Sequence, residues 1–343
     1  MATAFPIRNS SKLIPSVGYG CWKVPKETCS NLIEEAIKSG YRHIDCAADY
    51  GNEKEVGQGI RNAIQSGLVK REDLWITSKL WNTFHEPQHV KAACQRSLTD
   101  LGLDYLDLYL IHFPISLKFV PFETRYPPEW FHDPNAEHPK MELIDVSVQD
   151  TWRAMEDLVE QGLVKNIGIS NFNCQGIRDV MSYSRIKPVV LQVELHPYLQ
   201  QVNLVRYAQS LGIHVTAFSP MGHGASYWND AVAAIREPVI KELASKHGKD
   251  SISLNFYVFF NFFLLKIGVT EGQVVLRFGV ERGCSVIPKS SNPERIKKNL
   301  DLLGFSLTKE DMDGIKGLER NLRFNNPAVF CEQAFNTFCP IFD

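Results

Sequence analysis

Four polar residues stand at or just past the ends of apolar runs, and their types make a coherent chemical set. Asp45 lies in HIDCA and Tyr50 follows in the next loop, while Lys79 sits near the end of LWITSKL and His112 near the end of LDLYLIHF. A free phenol titrates near ~10, too high for an efficient acid at neutral pH. A neighbouring ammonium lowers that value by favouring the phenolate. Lys79 would supply this charge, held in place by an ion pair with Asp45. Tyr50 could then protonate a carbonyl oxygen while hydride arrives at the carbon, with His112 donating a hydrogen bond that orients the carbonyl. Singly, an Asp at a strand end is often a cap, a Lys is usually solvated, and a His in an apolar run is more often a satisfied core residue. Four such residues on consecutive elements favour the chemical reading.

The elements that must position them are short strands. Apolar, β-branched runs at 17–22, 43–47, 74–80, 106–113, 166–170, 189–194, 214–219 and 284–288 alternate with helical patterns. In the latter, apolar residues fall at helical spacing, as with Leu32, Ile33, Ala36 and Ile37, or Val90, Ala93, Cys94 and Leu98. Gly40, Gly67, Gly162, Gly212 and Gly304 follow helical runs, where a left-handed cap is wanted. Eight strand–helix repeats predict an α/β chain folded as one (β/α)₈ TIM barrel over 1–343, with Asp45, Tyr50, Lys79 and His112 converging on its C-terminal rim. A doubly wound sheet shares the alternation, but its nucleotide-binding members usually carry Gly-x-Gly-x-x-Gly after the first strand. Here Gly18-Tyr19-Gly20 runs into Cys21, Trp22 and Lys23, so the barrel is favoured. Three stretches fall outside the alternation: an N-terminal β-hairpin turning at Asn9 to Ser11, a long active-site loop at 116–140, and an irregular aromatic C-terminal tail.

Bulk properties narrow the class. The chain has 343 residues, 44% of them hydrophobic, and a net charge of −2 with acids and bases interspersed. It therefore lacks the basic footprint of a nucleic-acid binder. Its eight cysteines form neither a Cys-x-x-Cys pair nor a zinc-spaced Cys/His cluster, so no metal is expected. The start, MATAFPIRNSSK, has no apolar run of signal-peptide length. A cytoplasmic protein with reduced thiols, no membrane association and no nucleic-acid partner is the expectation.

The segments YRHIDCAADYGNEKEVGQGIR, ITSKLWN, DLYLIHFP, GISNF and IPKS occur in an order and spacing that resembles the aldo-keto reductases, from Pro6 to about Arg323. The resemblance implies a catalytic tetrad of Asp45, Tyr50, Lys79 and His112. It implies that Ser170, Asn171 and Gln192 hold a nicotinamide carboxamide, that Phe218 stacks on the ring where many members place Tyr, and that Ser219, Pro220, Met221 and Gly222 cover the pyrophosphate. IPKSSNPERIKKN indicates the cofactor by physics as well as by resemblance. Asn292 is a good helix N-cap and Pro293 suits the first helical position. An anion there would meet free N–H groups, a favourable dipole, and Lys289, Ser290 and Arg295. That is a 2′-phosphate site, so NADPH is expected, with NADH secondary; Asn299 matches a residue near the adenine. Trp22, Trp81, Phe113 and Asn325 are the substrate-pocket candidates, beside the tetrad in sequence or by resemblance. Within the family the chain is most similar to aldose reductases of the xylose-reductase type, through CAADYGNEKEVG, HFPI, KFVPFE, YPP and LRFNNP. Reduction of a small carbonyl substrate by a monomer or homodimer is implied. A polyol-phosphate or general aldehyde reductase, or a non-catalytic NADP(H)-binding regulatory subunit, are the alternatives.

Residues 250–268, DSISLNFYVFFNFFLLKIG, interrupt the resemblance. The run is shorter than the ~20 apolar residues of a membrane span and is broken by Asn255, Asn261 and Lys266. As an exposed lobe it would be a large apolar patch. It reads as an insertion in the outer helical layer, away from the tetrad and dispensable for the fold, such as translated non-coding sequence.

Overall fold

The computed structural model describes residues 4–8, 10–222, 233–254 and 268–342, with the backbone alone for 249–254. A short antiparallel pair, β1 (Ala4–Phe5) with β2 (Ile14–Pro15), precedes the barrel. Eight strands then follow in parallel: β3 (Tyr19–Gly20), β4 (His43–Asp45), β5 (Trp75–Leu80), β6 (Leu108–Ile111), β7 (Ile167–Ser170), β8 (Val190–Glu194), β9 (His214–Phe218) and β10 (Cys284–Val286). Each pairs with its successor. The circle closes between the last and first: Val17 bridges Val286, Gly18 N donates to Val286 O at 2.8 Å, and Gly20 N donates to Pro288 O at 3.1 Å. The expected TIM barrel and hairpin are both present. The turn proposed for the hairpin falls partly on residue 9, outside the described residues.

Outside the strands lie α1 (Lys26–Lys38), α2 (Glu53–Gln65), α3 (Pro87–Leu101), α4 (Val148–Glu160), α5 (Cys174–Tyr183), α6 (Val202–Ser210), α7 (Pro238–Leu254), α8 (Glu271–Glu281), α9 (Pro293–Leu300), α10 (Lys309–Lys316) and α11 (Pro327–Phe335). Local chemistry explains their starts. Ser147, Asn173, Thr270, Asn292, Thr308 and Asn326 each cap a helix by accepting from a backbone N–H in its first turn. Inward faces such as Leu32, Ile33, Ala36 and Ile37 are buried in the main core. Two expectations are corrected. The C-terminal tail is not wholly irregular, because Asn326 and Pro327 start α11, nine residues long. Gly40, Gly67, Gly162 and Gly212 have the positive φ of a left-handed cap, but Gly304 does not.

The loop at 116–140 contains no regular strand or helix and is docked on α3, with the Arg96 guanidinium 3.9 Å from the Tyr126 ring. Among the described residues no helix is long and apolar enough to cross a membrane.

The segment at 250–268, expected to be an insertion, lies mostly outside the described residues, but its flanks do not. A Cβ added to Gly248 would meet Val269 N at 3.3 Å and Gly268 Cα at 3.4 Å. Gly248, within α7, therefore lies against the residues that lead into α8, so the two flanks of the segment stand close enough to be joined. A protein lacking residues 250–268 is expected to fold, to express more solubly and to keep full activity. Loss of folding on deletion, or abundant peptides from this segment in the native protein, would count against dispensability.

Candidate active site

The ends of β4, β5 and β6 bring the four reactive groups together. Lys79 Nζ donates to Asp45 Oδ1 at 2.6 Å, to Cys46 O at 2.7 Å and to Tyr50 Oη at 3.1 Å. The second Asp45 oxygen accepts from Gln192 Nε2 at 2.7 Å. The ion pair is wholly buried, and a buried pair persists only when its remaining donors and acceptors are also satisfied. His112 stands beside the phenol, with ring centroids 5.9 Å apart.

Electrostatics in this nest differ in part from the expectation. Burial pushes the Tyr50 hydroxyl above the ordinary phenol range; Lys79 opposes this through charge and hydrogen bond, and Asp45 adds to the rise. The lysine acts in the expected direction, but desolvation of the phenolate outweighs it. Burial alone would lower the Lys79 ammonium, but Asp45 and Tyr50 more than offset it and hold the group charged. Burial, then Lys79 and His85, drive His112 well below the usual imidazole range, so it stays neutral.

On the next strands, Asn171 Nδ2 donates to His112 O at 2.9 Å and to Ser170 Oγ at 3.2 Å. Asn171 Oδ1 is buried with no partner among the described residues. An open acceptor beside a hydroxyl is what a primary carboxamide needs, and Asn171, Ser170, Gln192 and Phe218 line one cavity. The left-handed backbones of Lys23 (φ 56°) and Ser219 (φ 48°), uncommon for their types, and of Asn171 (φ 63°), which adopts it more readily, cluster along this rim. Met221 and Asn299 approach the start of α8, where a Cβ on Gly272 would come within 3.4 and 3.9 Å of their side chains. Asn292 caps α9 by accepting from Arg295 N at 3.0 Å, and Arg295 Nε reaches Ser290 Oγ at 3.5 Å. Burial, then Arg295 and Lys23, lower the Lys289 ammonium, so three cations share this end of the rim.

The cavity holds about 480 Å³ and is lined by Trp22, Tyr50, His112, Phe113, Asn325 and several rings not singled out from sequence. Those are Trp130 from the long loop, Phe324, and Phe330 and Phe335 from α11, loop and tail aromatics of the kind the sequence places near the pocket without singling any out; Lys23, Asp49 and Gln333 carry no such signal. Trp81 is placed differently from the expectation. It is fully buried behind the wall, its Nε1 donating to Glu129 O at 3.1 Å and its ring set edge-on to Trp130 at 4.8 Å. It supports the face that Trp130 and Phe113 present.

Burial of other titrating groups predicts how the fold responds to acid. Burial pushes His43 down to about 4, and His85 and His214 down to about 3. Each binds fewer protons folded than unfolded, so its contribution is complete above pH ~6.5 and fades as the pH falls toward the folded value. Glu53 and Asp49, pushed up to about 7 by burial, act in the opposite sense between pH ~4 and ~7. Three imidazole shifts outweigh two carboxyl shifts of similar size. The thermal midpoint is expected to fall between pH ~7 and ~5; a midpoint that rises over this interval would refute the balance.

With this geometry established, likeness to known proteins becomes informative. The family model described as the aldo/keto reductase family matches residues 16–320. A probable NAD(P)H-dependent D-xylose reductase of Arthroderma otae is 47% identical over 328 residues, covering 94% of this chain and 93% of that protein. An NAD(P)H-dependent D-xylose reductase of Candida tropicalis is 47% identical over 325 residues, covering 93% of each. Among solved structures, an aldose reductase from Schistosoma japonicum superposes with a TM-score of 0.80 at 36% identity, covering 98% of each chain.

Proposed function

The chain belongs to the aldo/keto reductase family, and from that premise we propose that it reduces aldehydes and open-chain aldoses of the xylose type to alcohols and polyols. NADPH is the cofactor and NADH a secondary one. The observation that carries this reading is the bonded chain from Asp45 through Lys79 to Tyr50, with the phenol lining an aromatic-walled cavity beside a neutral His112.

When bound, the cofactor supplies hydride to the carbonyl carbon. Ser170, Asn171 and Gln192 hold its carboxamide, and Phe218 offers a ring face for stacking. Ser219, Pro220, Met221 and Gly222 cover the pyrophosphate, with Lys23 as a counter-charge. Lys289, Ser290 and Arg295 bind the 2′-phosphate at the start of α9, with Asn299 toward the adenine. His112 donates to the substrate oxygen and aligns it, and Tyr50 delivers the proton to that oxygen. The phenol stays protonated until reaction, yet the nascent alkoxide is far more basic than a phenolate, so transfer runs downhill. Lys79 then stabilises the phenolate left behind. Trp22, Phe113 and Trp130 exclude water, Trp81 backs them, and Asn325 meets a sugar hydroxyl. The enzyme acts as a single-domain monomer or homodimer in the cytoplasm.

Steady oxidation of NADPH with D-xylose or DL-glyceraldehyde is the expected result. Absence of turnover with both, in protein that binds NADPH, would leave a cofactor-binding regulatory protein instead.

A further inference from the structure

We propose that Glu194 is the positioning residue for substrate specificity, fixing the arm that carries Phe324 and Asn325 and so setting where Asn325 meets a substrate hydroxyl. The inference rests on the aldose-reducing reading above.

Glu194 ends β8, two residues beyond Gln192 and hence on the same face of the strand. Its side chain is fully buried. Oε1 accepts from Phe324 N at 2.8 Å and from His196 Nε2 at 2.8 Å, and Oε2 accepts from Asn325 N at 2.7 Å. A buried carboxylate is costly unless bonded, and here two of its three donors are consecutive backbone amides of the arm. Both residues of that arm line the cavity, whereas Glu194 does not. It therefore acts through them and not on the substrate.

The neighbouring turn reinforces the grip. Gln201 Nε2 donates to Glu194 O at 2.6 Å, and Gln201 Oε1 accepts from Arg323 at 3.2 Å. Tyr198 O accepts from Arg320 N at 3.1 Å and from Leu322 N at 3.0 Å. The His196 ring packs 5.2 Å from that of Phe324, and a Cβ on Gly222 would lie 3.3 Å from His196 Nδ1. One bracket thus holds the substrate arm and borders the loop proposed to cover the cofactor. Small displacements of a positioning group carry large kinetic costs, and a single carboxylate holding two successive amides fixes the stretch of backbone from which the Phe324 and Asn325 side chains project.

The test is a double-mutant cycle between Glu194→Gln and Asn325→Ala, read with D-xylose and with butanal, which lacks hydroxyls. A glutamine keeps the shape but loses one acceptor, releasing one arm amide. The expected result is a KM for xylose raised about five- to ten-fold at nearly constant kcat, the scale of one well-placed hydrogen bond. Butanal kinetics and NADPH affinity should stay within about two-fold, and in the Asn325→Ala background Glu194→Gln should add little. Equal losses for xylose and butanal, or additive effects in the cycle, would reduce Glu194 to a structural strut and overturn the proposal. Failure of the wild-type protein to reduce either aldehyde would instead overturn the functional reading beneath it. If Glu194→Gln does not fold, Gln201→Ala, which removes the tie to Arg323, should raise the xylose KM in the same selective way; an unchanged KM there would count against the bracket.

Discussion

Replacing Tyr50 by phenylalanine is expected to lower kcat/KM for every aldehyde by about 10²- to 10⁴-fold, the range of a positioned general acid, with NADPH affinity nearly unchanged. The ring and its packing survive; only the donor is lost. Neither of the tetrad's other donors replaces it, since burial and Lys79 hold His112 neutral and Lys79 is engaged by Asp45 and Cys46 O. Lys79→Met should behave similarly for a different reason. Burial already disfavours the phenolate of Tyr50, and Lys79 is the principal influence opposing it. Without the ammonium, the phenolate formed on proton transfer would lose its counter-charge, and Asp45 would be left buried with only Gln192 bonded to its carboxylate. The basic limb of the pH profile is not expected to report Tyr50 within the working range, because its hydroxyl stays protonated there. Single-turnover NADPH oxidation, paired with cofactor titration by fluorescence, separates chemistry from binding. More than a few per cent of wild-type turnover in Tyr50→Phe would remove this residue from its proposed role.

The residues on strand ends were readable because two signals coincide there. A short apolar, β-branched run locates the strand, and a polar residue closing it has no reason to be there unless it is capped, paired or reactive. Asp45, Lys79 and His112 were found this way, and Asn171 and Gln192 came with the family resemblance. Glu194 closes VLQVE with the same signal as Asp45 but was passed over, because its partners are amides about 130 residues further on. Residues on irregular backbone were less legible. Trp130 and Lys23 reach the cavity through loop conformations set by tertiary contacts, and the positive φ of Lys23 is not encoded by its residue type. The last helix had a sequence signal in Asn326 followed by Pro327, but the aromatic-rich text around it masked the cap. Trp81 shows a further limit: a strand-end position does not tell whether a large ring faces the cavity or lies behind its wall. The sign of the Tyr50 shift likewise depends on how far burial outweighs one nearby cation, a balance that composition and spacing do not contain.

Arg295→Ala is expected to weaken NADPH about ten-fold or more while leaving NADH within about two-fold. A charge-assisted hydrogen bond is worth about 1.5–3 kcal/mol, or roughly 10- to 100-fold in affinity. The lower end applies here because Arg295 is exposed and solvent screens its charge. The substitution spares the helix start, since Asn292 Oδ1 accepts from the backbone N of residue 295 and not from its side chain. The amide dipoles of α9 and the Ser290 hydroxyl therefore remain, and what is lost is the guanidinium that reaches toward Ser290 Oγ. Only a ligand bearing a 2′-phosphate should register that loss. Lys289 retains part of the attraction, so the double replacement with Lys289→Ala should bring the two cofactors closer still. Raising ionic strength should weaken NADPH more than NADH in the wild type, and less so in Arg295→Ala, because added salt screens an exposed phosphate–cation pair. Dissociation constants for both cofactors, measured at two salt concentrations, carry the comparison. Equal losses for NADPH and NADH would mean that Arg295 orders the α9 end of the rim in general and that phosphate discrimination lies elsewhere.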